Sequence, residues 1–171
     1  KLKKKKILSD IFISTDSSVL ADQAKKMGLK VPFIRPKKLS GDRVPELEVW
    51  KHFLNNTKFQ NKENDLMVLS CTSPLRQISD IEKGVKKFKR NKMLNGMVAI
   101  TETNHNPYFN MVSKITNSNL IQKAIKTKIY RRQDVPKIYN ITTALYLGKI
   151  KYILNTKDFY EGKIGYIEIS K

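Results

Sequence analysis

Residues 65–76 read Asp-Leu-Met-Val-Leu-Ser-Cys-Thr-Ser-Pro-Leu-Arg. The short apolar run from Leu66 to Leu69 has the length and composition of a buried strand. It ends in Ser70, Cys71, Thr72 and Ser73, and a Pro-Leu corner then brings in Arg76. Small hydroxyl residues at the carboxyl end of a buried strand, with a cation close by, suit an anion in a sheet crevice. The same residues can equally form a strand followed by an ordinary turn.

Three further segments have similar chemistry. Residues 11–16 read Ile-Phe-Ile-Ser-Thr-Asp, an apolar strand ending in Ser14, Thr15 and Asp16. Residues 31–42 read Val-Pro-Phe-Ile-Arg-Pro-Lys-Lys-Leu-Ser-Gly-Asp, where Pro36 forces Arg35 into an extended conformation and aims it off the strand end. Residues 131–136 read Arg-Arg-Gln-Asp-Val-Pro, two adjacent arginines in a lysine-rich chain. Each has a plainer reading: a helix cap at Asp16 or Ser17, a surface arginine in a basic loop, and an exposed turn before Pro136. His105 is a lone loop histidine, His52 falls in a helix and should pack, and Cys71 reads as a small buried filler.

In this order, from about Asp10 to about Tyr166, the four segments resemble the acylneuraminate cytidylyltransferases, in the branch handling sialic and legionaminic acids. The resemblance implies that the anomeric hydroxyl of a nine-carbon sugar acid attacks the α-phosphorus of CTP, giving a CMP-sugar and pyrophosphate. By resemblance Ser14, Asp16, Arg35, Asp42, Thr72, Ser73 and Arg76 lie at the nucleotide, and Arg132, Gln133, Tyr139, Thr142 and Thr143 at the sugar acid. No catalytic base is assigned. The family also implies Mg²⁺, an N-terminal phosphate loop and a late Asp-x-Asp pair for the metal. Neither motif occurs in this chain, so the isolated chain is expected not to turn over CTP. Two departures are substitutions: the family's Gln-Pro before Thr-Ser-Pro-Leu-Arg is Ser70-Cys71, and its Asn-Gly before Ala-x-Tyr is Thr142-Thr143. These leave open a degenerate homologue that binds without turnover.

The elements that must position these residues alternate. Helices are expected over Asp16–Met27 with face Val19, Leu20, Ala24 and Met27, from Pro45 to Asn55 with Leu47, Trp50 and Leu54, over Asp80–Arg90, and briefly over Gly148–Leu154. A helix tail is expected at Lys1–Leu8. Strands are expected at 10–14, 31–34, 66–70, 96–101, 138–147 and 163–169. The alternation predicts one α/β domain over residues 1–171, a Rossmann-like, mainly parallel sheet with helices on both faces, with 10–14, 66–70 and 96–101 adjacent in it. By resemblance it is of the nucleotide-diphospho-sugar transferase type. Residues 103–130 break the rhythm, and the resemblance makes them a dimerisation excursion and the protein a homodimer.

The 171 residues carry 34 Lys and Arg against 15 Asp and Glu, a formal charge of +19. Such an excess raises a nucleic-acid-binding α/β module as a rival. However, 28 of the cations are Lys and only 6 Arg, and the aromatics are scattered, so stacking platforms are missing and nucleic acid is not the expected partner. No apolar run approaches a membrane span and no signal-peptide pattern opens the chain. The first residue is not Met and is not expected to be the true start. A single cysteine points to a reducing cytoplasm.

Overall fold

The computed structural model describes residue 8, residues 10–59 and residues 64–170. In chain order the elements are α1 (Ser18–Lys26), α2 (Glu46–Asn55), β1 (Asp65–Val68), α3 (Ile78–Arg90), β2 (Gly96–Glu102), β3 (Val112–Lys114), β4 (Ile121–Lys123), β5 (Tyr139–Lys149), α4 (Ile150–Asn155) and β6 (Ile164–Glu168). The helix tail expected at Lys1–Leu8 falls, but for Leu8, outside the described residues.

Local chemistry explains several boundaries. The Ser17 hydroxyl accepts from the Leu20 amide and caps α1, and Gly28 closes it at a φ of 76°. Pro45 precedes the first turn of α2, where its missing donor costs nothing. Gln77 caps α3, so the helix starts at Ile78 and Asp80 lies in its first turn.

The main sheet has the order β1-β5-β2-β6. Strands β1, β2 and β6 share one direction, and β2 pairs with β6 in parallel. Side chains alternate to two cores. Met97, Ala99, Leu145, Leu147 and Ile167 meet Phe88 of α3 on one face; Val98, Ile100 and Tyr146 meet Trp50 and Leu54 of α2 and Ile150 and Ile153 of α4 on the other. The α/β class with helices on both faces therefore holds.

Three expectations change in detail. β5 runs antiparallel between β1 and β2, so the sheet is mixed rather than mainly parallel, with β2–β6 its parallel pair, and the strands near 66–70 and 96–101 are not adjacent. An antiparallel strand needs no helical crossover, and β5 follows the irregular excursion rather than a helix. Segments 10–14 and 31–34 are not strands of this sheet: they meet only through the isolated parallel bridges Phe12–Lys30 and Thr15–Ile34. Pro32 and Pro36 carry no amide hydrogen with which to extend that ladder. Finally, α1 packs through Ala21 and Ala24, while Val19, Leu20 and Met27 of the expected face are exposed. The small residues make the close contact.

Residues 103–130 depart from the α/β pattern, as expected, and contain the antiparallel β3–β4 hairpin. Among the described residues no helix is long and apolar enough to cross a membrane.

Candidate functional site

Because β1, β2 and β6 point the same way, their carboxyl ends lie with the amino end of β5 along one sheet edge. The register there is irregular. Val98 pairs with Tyr146, but the next residue, Ala99, pairs with Thr142. Residues 143–145 are therefore extra, and the resulting bulge carries Thr143 to the turn after β1. The Thr143 hydroxyl lies 2.8 Å from those of both Thr72 and Ser73, and Thr72 lies 2.9 Å from the Ser70 hydroxyl. Arg76 folds back to donate from Nη2 to the Ser70 carbonyl, which also receives the Ser73 amide. The Arg76 Nε is buried and has no hydrogen-bond partner among the described residues. Burial lowers the pKa of this guanidinium, with Cys71 opposing, but arginine stays a cation at neutral pH. Two residues expected at the nucleotide thus touch one expected at the sugar acid. Thr142 turns away, donating to the Ala99 carbonyl at 3.3 Å.

Cys71, expected as a buried filler, is exposed. It falls in the turn beyond β1, where the strand's alternation no longer directs it to a core. Ser70, named among the strand-end hydroxyls but not expected at either ligand, joins the hydroxyl cluster. Its signal was the Ser-x-Thr spacing, which lets one side chain reach the residue two further on.

A second cluster forms at the amino end. The Arg35 amide bonds the Thr15 carbonyl at 2.8 Å, which fixes the side chain beside Ser14–Asp16. Its Nε donates to the Ser40 hydroxyl at 3.1 Å, and its Nη2 lies 3.5 Å from an Asp16 carboxylate oxygen. Thr15 is buried and accepts from the Ser17 amide, a structural task. The Ser14 hydroxyl is buried without a hydrogen-bond partner among the described residues. Asp42 is exposed on the following turn.

The third group is more open. Arg131, not Arg132, engages Asp134, with two bonds of 2.8 and 2.9 Å. Arg132 and Gln133 are exposed on the 3-10 turn Arg132–Asp134. Tyr139, half-buried at the start of β5, packs against the α2–α4 core. His52 stacks edge-on against Phe33 at 4.8 Å, as expected of a packing residue, and His105 is exposed.

These residues do not fit a divalent cation. Asp16 faces Arg35, and among the described residues no group of three or more His, Cys, Asp or Glu side chains could hold one.

A protein-family model described as cytidylyltransferase matches residues 1–169. The chain belongs to the cytidylyltransferase family. It is 29% identical over 165 residues to the post-translational flagellin modification protein B of Campylobacter coli, covering 95% of this chain and 69% of that protein. It is 31% identical over 162 residues to the CMP-N,N'-diacetyllegionaminic acid synthase of Campylobacter jejuni, covering 94% of this chain and 68% of that protein. Among solved structures, a CMP:2-keto-3-deoxy-manno-octonic acid synthetase complexed with CTP matches at a TM-score of 0.65 and 10% identity, over 96% of this chain and 73% of that one. That likeness supports the nucleotide-sugar transferase fold of this cytidylyltransferase.

Proposed function

We propose that this cytidylyltransferase activates a nine-carbon sugar acid of the sialic or legionaminic type with CTP. The sugar's anomeric oxygen forms a bond to the α-phosphorus and the bond to the β-phosphate breaks. Pyrophosphate leaves, the hydroxyl proton is released, and a CMP-sugar remains. The observation that carries this reading is the contact of Thr72 and Ser73 with Thr143 at the carboxyl edge of the sheet. Ligands of open α/β folds bind outside the carboxyl ends of the strands, and the named Campylobacter jejuni relative is a CMP-sugar-acid synthase.

In this reading the two clusters divide the work. Arg35, held by Asp16 and Ser40, and Arg76 supply positive charge to the nucleotide phosphates, while Thr72 and Ser73 border them and Ser73 supplies a neutral donor. Ser14 and Asp42 border the nucleotide, and Arg132, Gln133, Tyr139, Thr142 and Thr143 border the sugar acid. Transfer of this kind is mostly positioning and charge neutralisation. Mg²⁺ belongs to the reaction class, but the described carboxylates do not gather to hold it and no step is assigned to it. The single cysteine favours the cytoplasm.

We also propose that the β3–β4 region contacts a second copy of the chain. Met111, Val112, Ile115, Leu120, Ile121 and Ile125 are all exposed, and one region holding this much apolar surface fits an interface.

Calorimetric titration with CTP, ATP and a sialic acid tests the activity. Saturable binding of CTP and the sugar acid, with ATP at least tenfold weaker, is expected. Equal binding of ATP, or no binding of CTP, would remove the reading.

A further inference from the structure

We infer that Thr143 is a positioning residue: it closes a chain of four hydroxyls and so aims one free O–H, that of Ser73, at an anionic oxygen of the ligand. The chain runs Ser70–Thr72–Thr143–Ser73, with separations of 2.9, 2.8 and 2.8 Å. Each hydroxyl carries one proton and can accept twice. Three links consume three of the four protons, so one O–H remains, and because either partner of each link can donate, it can sit on any of the four.

Which hydroxyl keeps it is decided by what stands beside the chain. The Thr72 amide donates to the Ser70 hydroxyl oxygen at 3.4 Å. A hydroxyl that accepts becomes a better donor, because hydrogen bonds in sequence polarise one another, so Ser70 is the better donor of its pair with Thr72. An anion seated beside the Arg76 turn then completes the direction Ser70 to Thr72, Thr72 to Thr143, and Thr143 to Ser73. With that anion present the free proton falls to Ser73, which is half-buried. The turn behind it is held by Arg76 and by the Ser73 amide, both on the Ser70 carbonyl. A fixed neutral donor beside a guanidinium favours a charged oxygen over a neutral one.

Thr143 reaches this position only because of the three-residue bulge in β5, and glycine there would break the chain. Ser70 and Thr143 stand at the two places where this chain leaves the pattern it resembles, so the chain of hydroxyls needs both departures together. The anion rests on the CMP-sugar-acid reading and has two sources: a phosphate of CTP or the carboxylate of the sugar acid.

Thr143→Val removes the hydroxyl and keeps the branched shape, whereas Thr143→Ser keeps the hydroxyl. The first readout is hydrogen exchange of residues 70–77 in the free chain. Thr143→Val should exchange roughly fivefold faster or more there, as expected when both hydroxyl links of Thr143 are lost, and Thr143→Ser should stay within about twofold of wild type. Wild-type exchange in the valine variant, or equal loosening in both, would overturn the positioning role. The second readout is titration of wild type, Thr143→Val and Ser73→Ala with CTP and, separately, with N-acetylneuraminate. Both variants should weaken one ligand by roughly fivefold. Loss confined to CTP assigns the phosphate, and loss confined to the sugar acid assigns the carboxylate. Unchanged affinity for both overturns the role of Ser73. A wild-type chain that binds neither ligand refutes the CMP-sugar-acid reading and the aim at an anion with it, while the exchange result still decides the role of Thr143.

Discussion

The chain builds two sheets and treats their side chains in opposite ways. In β2 five consecutive residues, Gly96 to Ile100, are buried, because helices cover both faces of the main sheet. In the β3–β4 hairpin all six residues are exposed, although they include Val112 and Ile121. The main sheet needs nothing further to exclude water from its cores. The hairpin obtains its order from local pairing and leaves its apolar surface for something else to cover. A two-stranded hairpin is marginal alone, so its neighbour matters more to it than to the core.

Substitutions can break this comparison, and the largest effect should come from the core. Leu145, 1% exposed, packs with Phe88 and Ile167. Leu145→Ala should cost about 2–5 kcal/mol in a denaturant melt, whereas Ile121→Ala should stay within about 0.5 kcal/mol in the monomer. Equal costs would mean that the hairpin is packed after all. Charge in the hairpin should act on assembly instead: Leu120→Asp with Ile121→Asp should convert a dimer to a monomer by light scattering, with the melting midpoint of the monomer unmoved. A wild type that is monomeric at micromolar concentration would reject the interface.

A third test concerns Arg132, exposed between the hairpin and β5. Arg132→Lys should weaken sugar-acid binding about tenfold, roughly 1.5–3 kcal/mol for a charged hydrogen bond, and leave CTP binding unchanged. Loss of CTP binding instead would misplace the two half-sites.

The smallest effect is a pH dependence. Burial, aided by Tyr160 and Glu46, pushes the Tyr146 phenol up to about 12. Between about pH 10 and pH 12 the folded chain thus keeps a proton that the unfolded chain has lost, and stability falls as pH rises through that window. Tyr146→Phe should flatten part of this decline in melting temperature. Tyr160, also raised by burial, should contribute in the same direction. An unchanged slope would show that Tyr146 does not titrate there.

What could be read from sequence follows from the range over which each signal acts. The stripe Leu47, Trp50 and Leu54 and the apolar run of β2 reflect local periodicity, and both elements formed as read. The direction and place of β5 depend on pairing with residues some forty to eighty positions away, which no local period encodes. The ladder at 31–34 failed at its own prolines. In the candidate site, the neighbourhood of Arg35 and Asp16 and that of Thr72 and Ser73 could be read from residue type and local order. The link from Thr72 to Thr143 was not, because it depends on a bulge that brings together residues 71 positions apart. Cys71 was misread for a different reason: a free cysteine usually packs as a small hydrophobe, but this one stands in the exposed turn beyond β1.

That misreading has a practical consequence. The sequence contains one thiol, and it is exposed between Ser70 and Thr72. A maleimide fluorophore would therefore attach at a single address, without engineered cysteines or removal of competing ones. Its emission would respond to the dielectric and mobility of the turn itself, so ligand arrival, loosening by Thr143→Val and assembly through the hairpin could be followed by one optical signal.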